Sequence, residues 1–237
     1  MKKLFTTALI VLAITTAFAK GPKNQYVRIH TSYGDCIIRL YNETPRHRDN
    51  FIKLVKQGFY NGTLFHRVIQ NFMIQGGDPD SKDTTKAKPG VELGNGDVGY
   101  TVPAEFRDSL FHKRGVLAAA RDDNPAKASS GCQFYIVEGK RYTDGKMDTL
   151  ETTRLKGFKI PAWQREIYKT AGGTPQLDHN YTVYGEVVTG IDMVDVIAAV
   201  KKDKRDRPDK DVPMTMELLS KKECEQLDKL LGLEPAN

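Results

Sequence analysis

Residues that announce covalent or cofactor chemistry are scarce in this chain, and each shortage removes a class of function. Cysteine occurs three times, at Cys36, Cys132 and Cys224. A small, odd, widely spaced set is no disulfide framework, and without a C-x-x-C pair neither zinc binding nor dithiol redox chemistry is indicated. At most one bridge could form in an oxidising compartment, and the spacing does not select the pair. Cys132, just before an apolar run, reads as a packing residue rather than a nucleophile. The five histidines, His30, His47, His66, His112 and His179, lie far apart with no H-x-x-x-H spacing, so no metal site is expected. No G-x-S-x-G elbow is present. Gly139 to Lys146 places five residues between its glycines and has methionine after the lysine, which does not match a phosphate-binding loop. No cofactor is predicted.

Long hydrophobic runs are also missing. The one apolar stretch near the start, Leu4 to Ile14, falls short of the ~20 residues of a membrane span. It follows the basic Met1-Lys2-Lys3 and precedes Ala17-Phe18-Ala19, so residues 1–19 read as a signal peptide cleaved before Lys20. The expected product is an exported protein, periplasmic or secreted, with no stable membrane insertion after signal removal. Losing Lys2 and Lys3 lowers the formal net charge from +6 to +4. Bases are scattered among acids, so nucleic acid is not an expected partner. Lys201 to Arg207, basic but interrupted by aspartates, reads as a solvated connection. Residues 20–237 suit one domain, taken here as a monomer.

What is present is a series of short β-type segments with few helices. Tyr26–His30 and Cys36–Tyr41 flank a turn at Ser32-Tyr33-Gly34-Asp35. Thr44-Pro45 opens a helix with Phe51, Leu54 and Val55 on its apolar face and Gly58 at its end. Strands are expected at Leu64–Gly76, Gly115–Ala120, Gln133–Val137, Tyr181–Val188 and Met214–Leu219. A helix is expected at Ile191–Val200 and a charged helix at the C-terminus. Gly76–Tyr100 is a long polar loop of the kind that is functional or disordered. The charged Glu138–Gln176 region holds the only tryptophan, Trp163, in a helical stretch over Pro161–Lys169. Many short strands and few helices predict a closed or nearly closed antiparallel barrel.

The most informative stretch is Phe65 to Asp78, Phe-His-Arg-Val-Ile-Gln-Asn-Phe-Met-Ile-Gln-Gly-Gly-Asp. Alternation along a strand puts Phe65, Arg67 and Ile69 on one face, and Met73 with Gln75 on one face of the second half. Arg67 and Gln75 beside Phe72 and Met73 would form a cationic donor at the edge of an apolar pocket, suited to a greasy ring next to a carbonyl. From this stretch alone, a buried arginine held by structural hydrogen bonds is equally compatible.

Phe65-His66-Arg67-Val68, Asn71 to Asp78, Gly115 to Ala120, Gln133-Phe134-Tyr135-Ile136, Tyr100 to Phe106 and Tyr184-Gly185-Glu186-Val187 occur in the order that resembles the cyclophilin family of peptidyl-prolyl cis-trans isomerases. The resemblance spans roughly residues 26–199. It implies a mainly β fold, an eight-stranded closed antiparallel barrel capped by helices at Thr44–Gln57 and Ile191–Val200. A partly helical insertion at about 139–176 and a C-terminal extension at about 201–237 would be added. It implies isomerisation of X-Pro bonds in segments of unfolded or folding proteins, assisting exported chains. A non-catalytic binding module or holdase chaperone using the same groove is the alternative. Arg67 aligns with the catalytic arginine and Gln75 with the glutamine that orients it. Phe72, Met73, Tyr135 and Leu177 align with the proline pocket, Tyr181 with an aromatic position beside it, and Gln133 with a neighbouring subsite. The Ala119-Ala120-Arg121 backbone aligns with the edge that binds substrate main chain. Tyr135 stands where phenylalanine is common, and its hydroxyl needs a partner. Arg121 replaces an asparagine, and Gln176 replaces a tryptophan, which argues against tight cyclosporin binding. Within the insertion, Trp163 and Tyr168 would form a lid or docking surface, or pack elsewhere for stability.

Overall fold

The computed structural model describes residues 24–233, so the signal-peptide prediction lies outside the described residues. The chain starts with a hairpin, β1 (Gln25–Thr31) and β2 (Gly34–Leu40), turning where the sequence places a glycine. Helix α1 (Pro45–Lys56) follows, with Pro45 in its first turn and Phe51, Leu54 and Val55 buried. β3 (Phe65–Ile69) and β4 (Met73–Gly76) form the next hairpin, then come β5 (Thr101–Val102), β6 (Val116–Ala119), β7 (Ser129–Ser130) and β8 (Phe134–Val137). The insertion holds two helices, α2 (Asp144–Thr153) and α3 (Ala162–Thr170). β9 (Val183–Thr189), α4 (Ile191–Ala198), β10 (Thr215–Leu218) and α5 (Lys221–Leu230) complete the chain.

Eight strands form one antiparallel sheet in the order β10-β1-β2-β9-β6-β8-β4-β3. The expected closed barrel is not what forms: β3 and β10 are the two ends of the order, and no strand ladder joins them, so the sheet is an open half-barrel. The two edges approach through an isolated bridge between Leu64 and Pro213, with Phe65 N donating to Val212 O, Met214 N to Thr63 O and Gly62 N to Met214 O. Pro213 has no N–H to extend a ladder. Farther along, Val68 N is taken by Asp206 O from the connection that precedes β10. That connection occupies the edge where a closing strand would sit.

Both faces of the central strands are covered, which explains their unbroken apolar runs. Leu117, Phe134 and Ile136 point to the main core, where α1 and α4 pack Phe51, Leu54, Val194 and Ile197 against Val27, Ile29 and Ile38. Val116, Ala118, Tyr135 and Val137 point the other way, into a second cluster with Met73 and Val183. A third cluster belongs to the insertion, joining Met147, Leu155, Ile160 and Tyr168 to Phe111. α5 starts with a reciprocal Ser220/Glu223 capping box and packs Cys224 on Tyr26, whose hydroxyl donates to Asp228 at 2.6 Å. All three cysteines are free and buried. Burial pushes the Cys132 thiol up to about 11, consistent with a packing role.

His66, on β3, carries a pH-dependent weakness. It is 4% exposed, and neither ring nitrogen has a hydrogen-bond partner among the described residues. Burial, against the partly offsetting Asp78 carboxylate, pulls its pKa from 6.5 down to about 4. Between those values the unfolded chain binds a proton that the folded one refuses, so stability falls as pH drops from 6.5 toward 4. The slope is about 1.4 kcal/mol per pH unit for one proton. His47, also lowered by burial, adds in the same direction. Urea midpoints measured from pH 7 to pH 4.5 should decline on this slope, and a His66→Leu variant should decline less. Equal slopes in the two proteins would rule out this role for His66.

Candidate active site

A hollow of about 180 Å³ lies on the second face of the sheet, lined by Arg67, Phe72, Met73, Gln75, Ala120, Arg121, Tyr135, Leu177 and Tyr181. Three neighbouring strands set its floor. The register pairs Arg67 with Gln75 across β3 and β4, and Gln75 with Tyr135 across β4 and β8. Arg67 reaches this face through a break in alternation. The β3–β4 register shifts between Phe65 and Arg67, so Phe65 turns into the main core with Val68. Simple alternation therefore misplaces Phe65, because an extra residue in one strand rotates everything that precedes it. Met73 and Gln75 do share a face, with Ile74 in the main core.

Arg67 Nη1 donates to Gln75 Oε1 at 3.3 Å, Gln75 Nε2 donates to Gln133 Oε1 at 3.2 Å, and Gln133 Nε2 donates to the Gly94 and Gly96 carbonyls at 2.8 and 2.9 Å. This relay orients Gln75 with its oxygen toward the arginine and holds the 94–96 loop beside it. Arg67 Nε lies 3.9 Å from Asp206 Oδ2, and the arginine side chain remains 42% exposed. A guanidinium so tethered keeps further N–H donors available at the rim of the hollow.

The apolar wall has its own support. Tyr135 is buried, and its hydroxyl bonds to His112 Nε2 at 2.9 Å. Burial raises the Tyr135 phenol far above its ordinary range, so it stays protonated. His112 Nδ1 lies 2.8 Å from Asp178 Oδ1, and since a carboxylate only accepts, Nδ1 donates. The His112 backbone N donates to the same oxygen at 2.8 Å, and Tyr168 on α3 donates its hydroxyl to Asp178 Oδ2 at 2.6 Å. The hydroxyl that distinguishes tyrosine from phenylalanine at 135 is thus satisfied through a buried chain that ends in the insertion. Leu177 sits on a 3-10 turn, Pro175–Leu177, immediately before Asp178. Tyr181 stands edge-on to Tyr135 at 5.9 Å, and the Arg121 guanidinium lies over the Tyr181 ring at 4.9 Å.

Of the residues singled out from sequence, Arg67, Phe72, Met73, Gln75, Ala120, Arg121, Tyr135, Leu177 and Tyr181 converge on one hollow. Gln133 does not line it; together with Gln75, Ala120 and Arg121 it borders an adjoining cavity of about 500 Å³ under the 94–101 loop. Ala119 lies apart, its methyl in the main core. Its N–H donates to Thr182 O, Ala120 N–H to Gln133 O, and Ala120 O accepts from Ser130 N. Tyr168 is fully buried, and Trp163, 50% exposed, stacks edge-on against Phe111 at 5.2 Å. Neither lines the hollow. Asp206, His112 and Asp178 escaped the sequence reading. Asp206 sits in the connection expected to be solvated, whose neighbour Arg207 is in fact buried, donating to the carbonyls of Ala87, Lys88 and Val91. No local pattern marks these residues, because their partners are remote in sequence.

The sequence profile of the cyclophilin type peptidyl-prolyl cis-trans isomerase/CLD family matches residues 26–217. A Staphylococcus saprophyticus protein described as a peptidyl-prolyl cis-trans isomerase is 34% identical over 188 residues, covering 78% of this chain and 86% of its own. A Streptococcus pyogenes protein described as a bifunctional phosphatase/peptidyl-prolyl cis-trans isomerase is 35% identical over 199 residues. That match covers 81% of this chain but only 37% of the streptococcal one. Among solved structures, a Cryptosporidium parvum cyclophilin type isomerase superposes with a TM-score of 0.59 at 25% identity, covering 83% of this chain and 98% of that one. A second crystal structure of the same Cryptosporidium protein, in the presence of the dipeptide Ala-Pro, gives a TM-score of 0.58. With a profile match over residues 26–217 and a relative 34% identical over 78% of its length, the chain belongs to the cyclophilin-type peptidyl-prolyl cis-trans isomerase family.

Proposed function

We propose that this hollow catalyses rotation about X-Pro bonds, with Arg67 as the catalytic donor and Gln75 as its positioning residue. Rotation about a peptide bond faces ~18–20 kcal/mol because the nitrogen lone pair is shared with the carbonyl. In the twisted state that lone pair is localised on the proline nitrogen and can accept a hydrogen bond. A donor that is stronger there than in either planar isomer lowers the barrier. A guanidinium suits this task, being always charged and presenting several N–H groups in a rigid fork. A thousandfold acceleration takes about 4 kcal/mol, within the range of one or two preorganised donors in a partly dry site. The apolar wall of Phe72, Met73, Tyr135 and Leu177 is suited to the proline ring.

The observation that carries this reading is the convergence of a tethered arginine and an apolar wall on one hollow. Exchange spectroscopy on a short X-Pro peptide tests it. Catalytic amounts of protein should broaden or exchange the cis and trans signals, and an unchanged exchange rate would overturn the reading. Clients are inferred to be folding proteins outside the cytoplasm, supported by the basic-apolar-small start of the chain. Protein purified from the cell envelope or medium should begin at Lys20 on N-terminal sequencing; an intact Met1 would refute export by cleavage.

A further inference from the structure

Beside the proline hollow, and sharing Arg121, Leu177 and Tyr181 with it, lies a wider groove of about 740 Å³ between the insertion and the half-barrel. Its walls carry four cations, Arg121, Lys140, Lys146 and Arg154, and no carboxylate. The insertion is not short of acids; it holds them elsewhere. Asp144 pairs with Arg165 and Lys169, Asp148 with Arg165, Glu151 with Arg165 and Lys159, and Glu166 with Lys169. Lys140, Lys146 and Arg154 make no ion pair among the described residues. Arg121 has one, to the fully exposed Asp123 at 3.5 Å. The acids of the insertion are thus held in ion pairs that do not line the groove, while Lys140, Lys146 and Arg154 stand along it.

The groove is also fixed in place. Lys140 and Gly173 exchange backbone hydrogen bonds at the stem of the insertion. A Cβ at Gly173 would stand 2.2 Å from His112 O, so the stem packs backbone against backbone. Tyr142 donates to Gln176 Oε1 at 3.1 Å, and Tyr168 is tied through Asp178 and His112 to Tyr135 on the pocket wall. A chain whose proline occupies the hollow would have its flanking residues run into a wall of like charge held at a set distance.

We propose that this groove is a specificity subsite for acidic residues flanking the proline of a polypeptide substrate, an inference that rests on the isomerase reading above. Lys140, Lys146 and Arg154 would pair with substrate carboxylates, selecting Asp- or Glu-rich X-Pro segments over neutral or basic ones. Exposed ion pairs are individually weak and salt-sensitive, so the preference should come from several acting together.

The test compares three X-Pro peptides that differ only in carrying glutamates, glutamines or lysines on both sides of the X-Pro pair. Turnover is read by exchange spectroscopy and affinity by calorimetry. The kcat/KM for the glutamate peptide should exceed that for the glutamine peptide by about tenfold at low ionic strength, the size three ordinary surface pairs would give. The ratio should fall toward one in high salt, and below one for the lysine peptide. In the triple variant K140E/K146E/R154E the order of the peptides should reverse, while K140Q/K146Q/R154Q should remove the preference. Equal kcat/KM and equal affinity for all three peptides in the wild type would overturn the subsite while leaving the isomerase reading intact. Tighter binding of the glutamate peptide with no turnover of any peptide would do the opposite.

Discussion

The Arg67→Ala protein is expected to retain its fold and lose most of its isomerase activity, with kcat/KM lowered by about 10²–10³-fold, the usual loss when one preorganised transition-state donor is removed. The fold should survive because Arg67 is partly exposed and packs in neither main cluster of the sheet. Its contacts are one 3.3 Å bond to Gln75 and a 3.9 Å approach to Asp206. The loss should appear in kcat more than in KM, since the apolar wall that holds the ring is untouched. Arg67→Lys should recover little, because a point charge does not reproduce the fork that spans Gln75 and a substrate nitrogen. Near wild-type kcat/KM in a folded Arg67→Ala protein would refute the role. Suppression of aggregation by the same variant separates catalysis from a holdase activity, which should be indifferent to the change.

The second large effect is on stability. Asp178 is 3% exposed and accepts from the His112 amide, the His112 ring and the Tyr168 hydroxyl. Asp178→Ala leaves three donors without a partner in a site that water does not reach. Removing one partner of a buried charged network costs roughly 3–5 kcal/mol. For a domain of this size that corresponds to a fall in Tm on the order of 10 °C. Asp178→Asn keeps one acceptor oxygen and should cost less. Because His112 also holds the Tyr135 hydroxyl, the Asn variant, assayed where it is folded, should raise KM while changing kcat little. A Tm within 2–3 °C of wild type for Asp178→Ala, on the same scale, would show the network to be dispensable.

The network also explains what the insertion does for the half-barrel. Trp163 does not close over the hollow, and Tyr168 is buried as a structural ligand to Asp178. α3 is the helical stretch expected over Pro161–Lys169. α2 was not anticipated, since its only buried residues are Met147 and Glu151 and, Leu150 apart, the rest of the segment is mostly polar and threonine-rich. Its stability comes from packing on α3 and from Arg165 joining Asp144, Asp148 and Glu151, contacts made across more than a dozen residues of chain.

By itself the sequence determined the first hairpin, the two capping helices and the order of the family motifs, and through the resemblance those motifs carry it named Arg67, Phe72, Met73, Gln75, Tyr135 and Leu177 as candidates. The elements follow from local signals, namely period-two and period-3.6 patterns, turn glycines and Pro45 at a helix start, and the candidates follow from what the resemblance implies. Only the tertiary structure decided that the sheet stays open at β3 and β10, because closure depends on what lies between two edges and a Pro213 that cannot donate. It alone placed Phe65 in the core, on the face opposite Arg67, since a register shift changes faces without changing composition. It alone joined His112, Asp178 and Tyr168 to the pocket wall and gathered the cations of the insertion along one groove. Side chains far apart in the chain meet through packing and hydrogen bonding, and no periodicity in the sequence records those meetings.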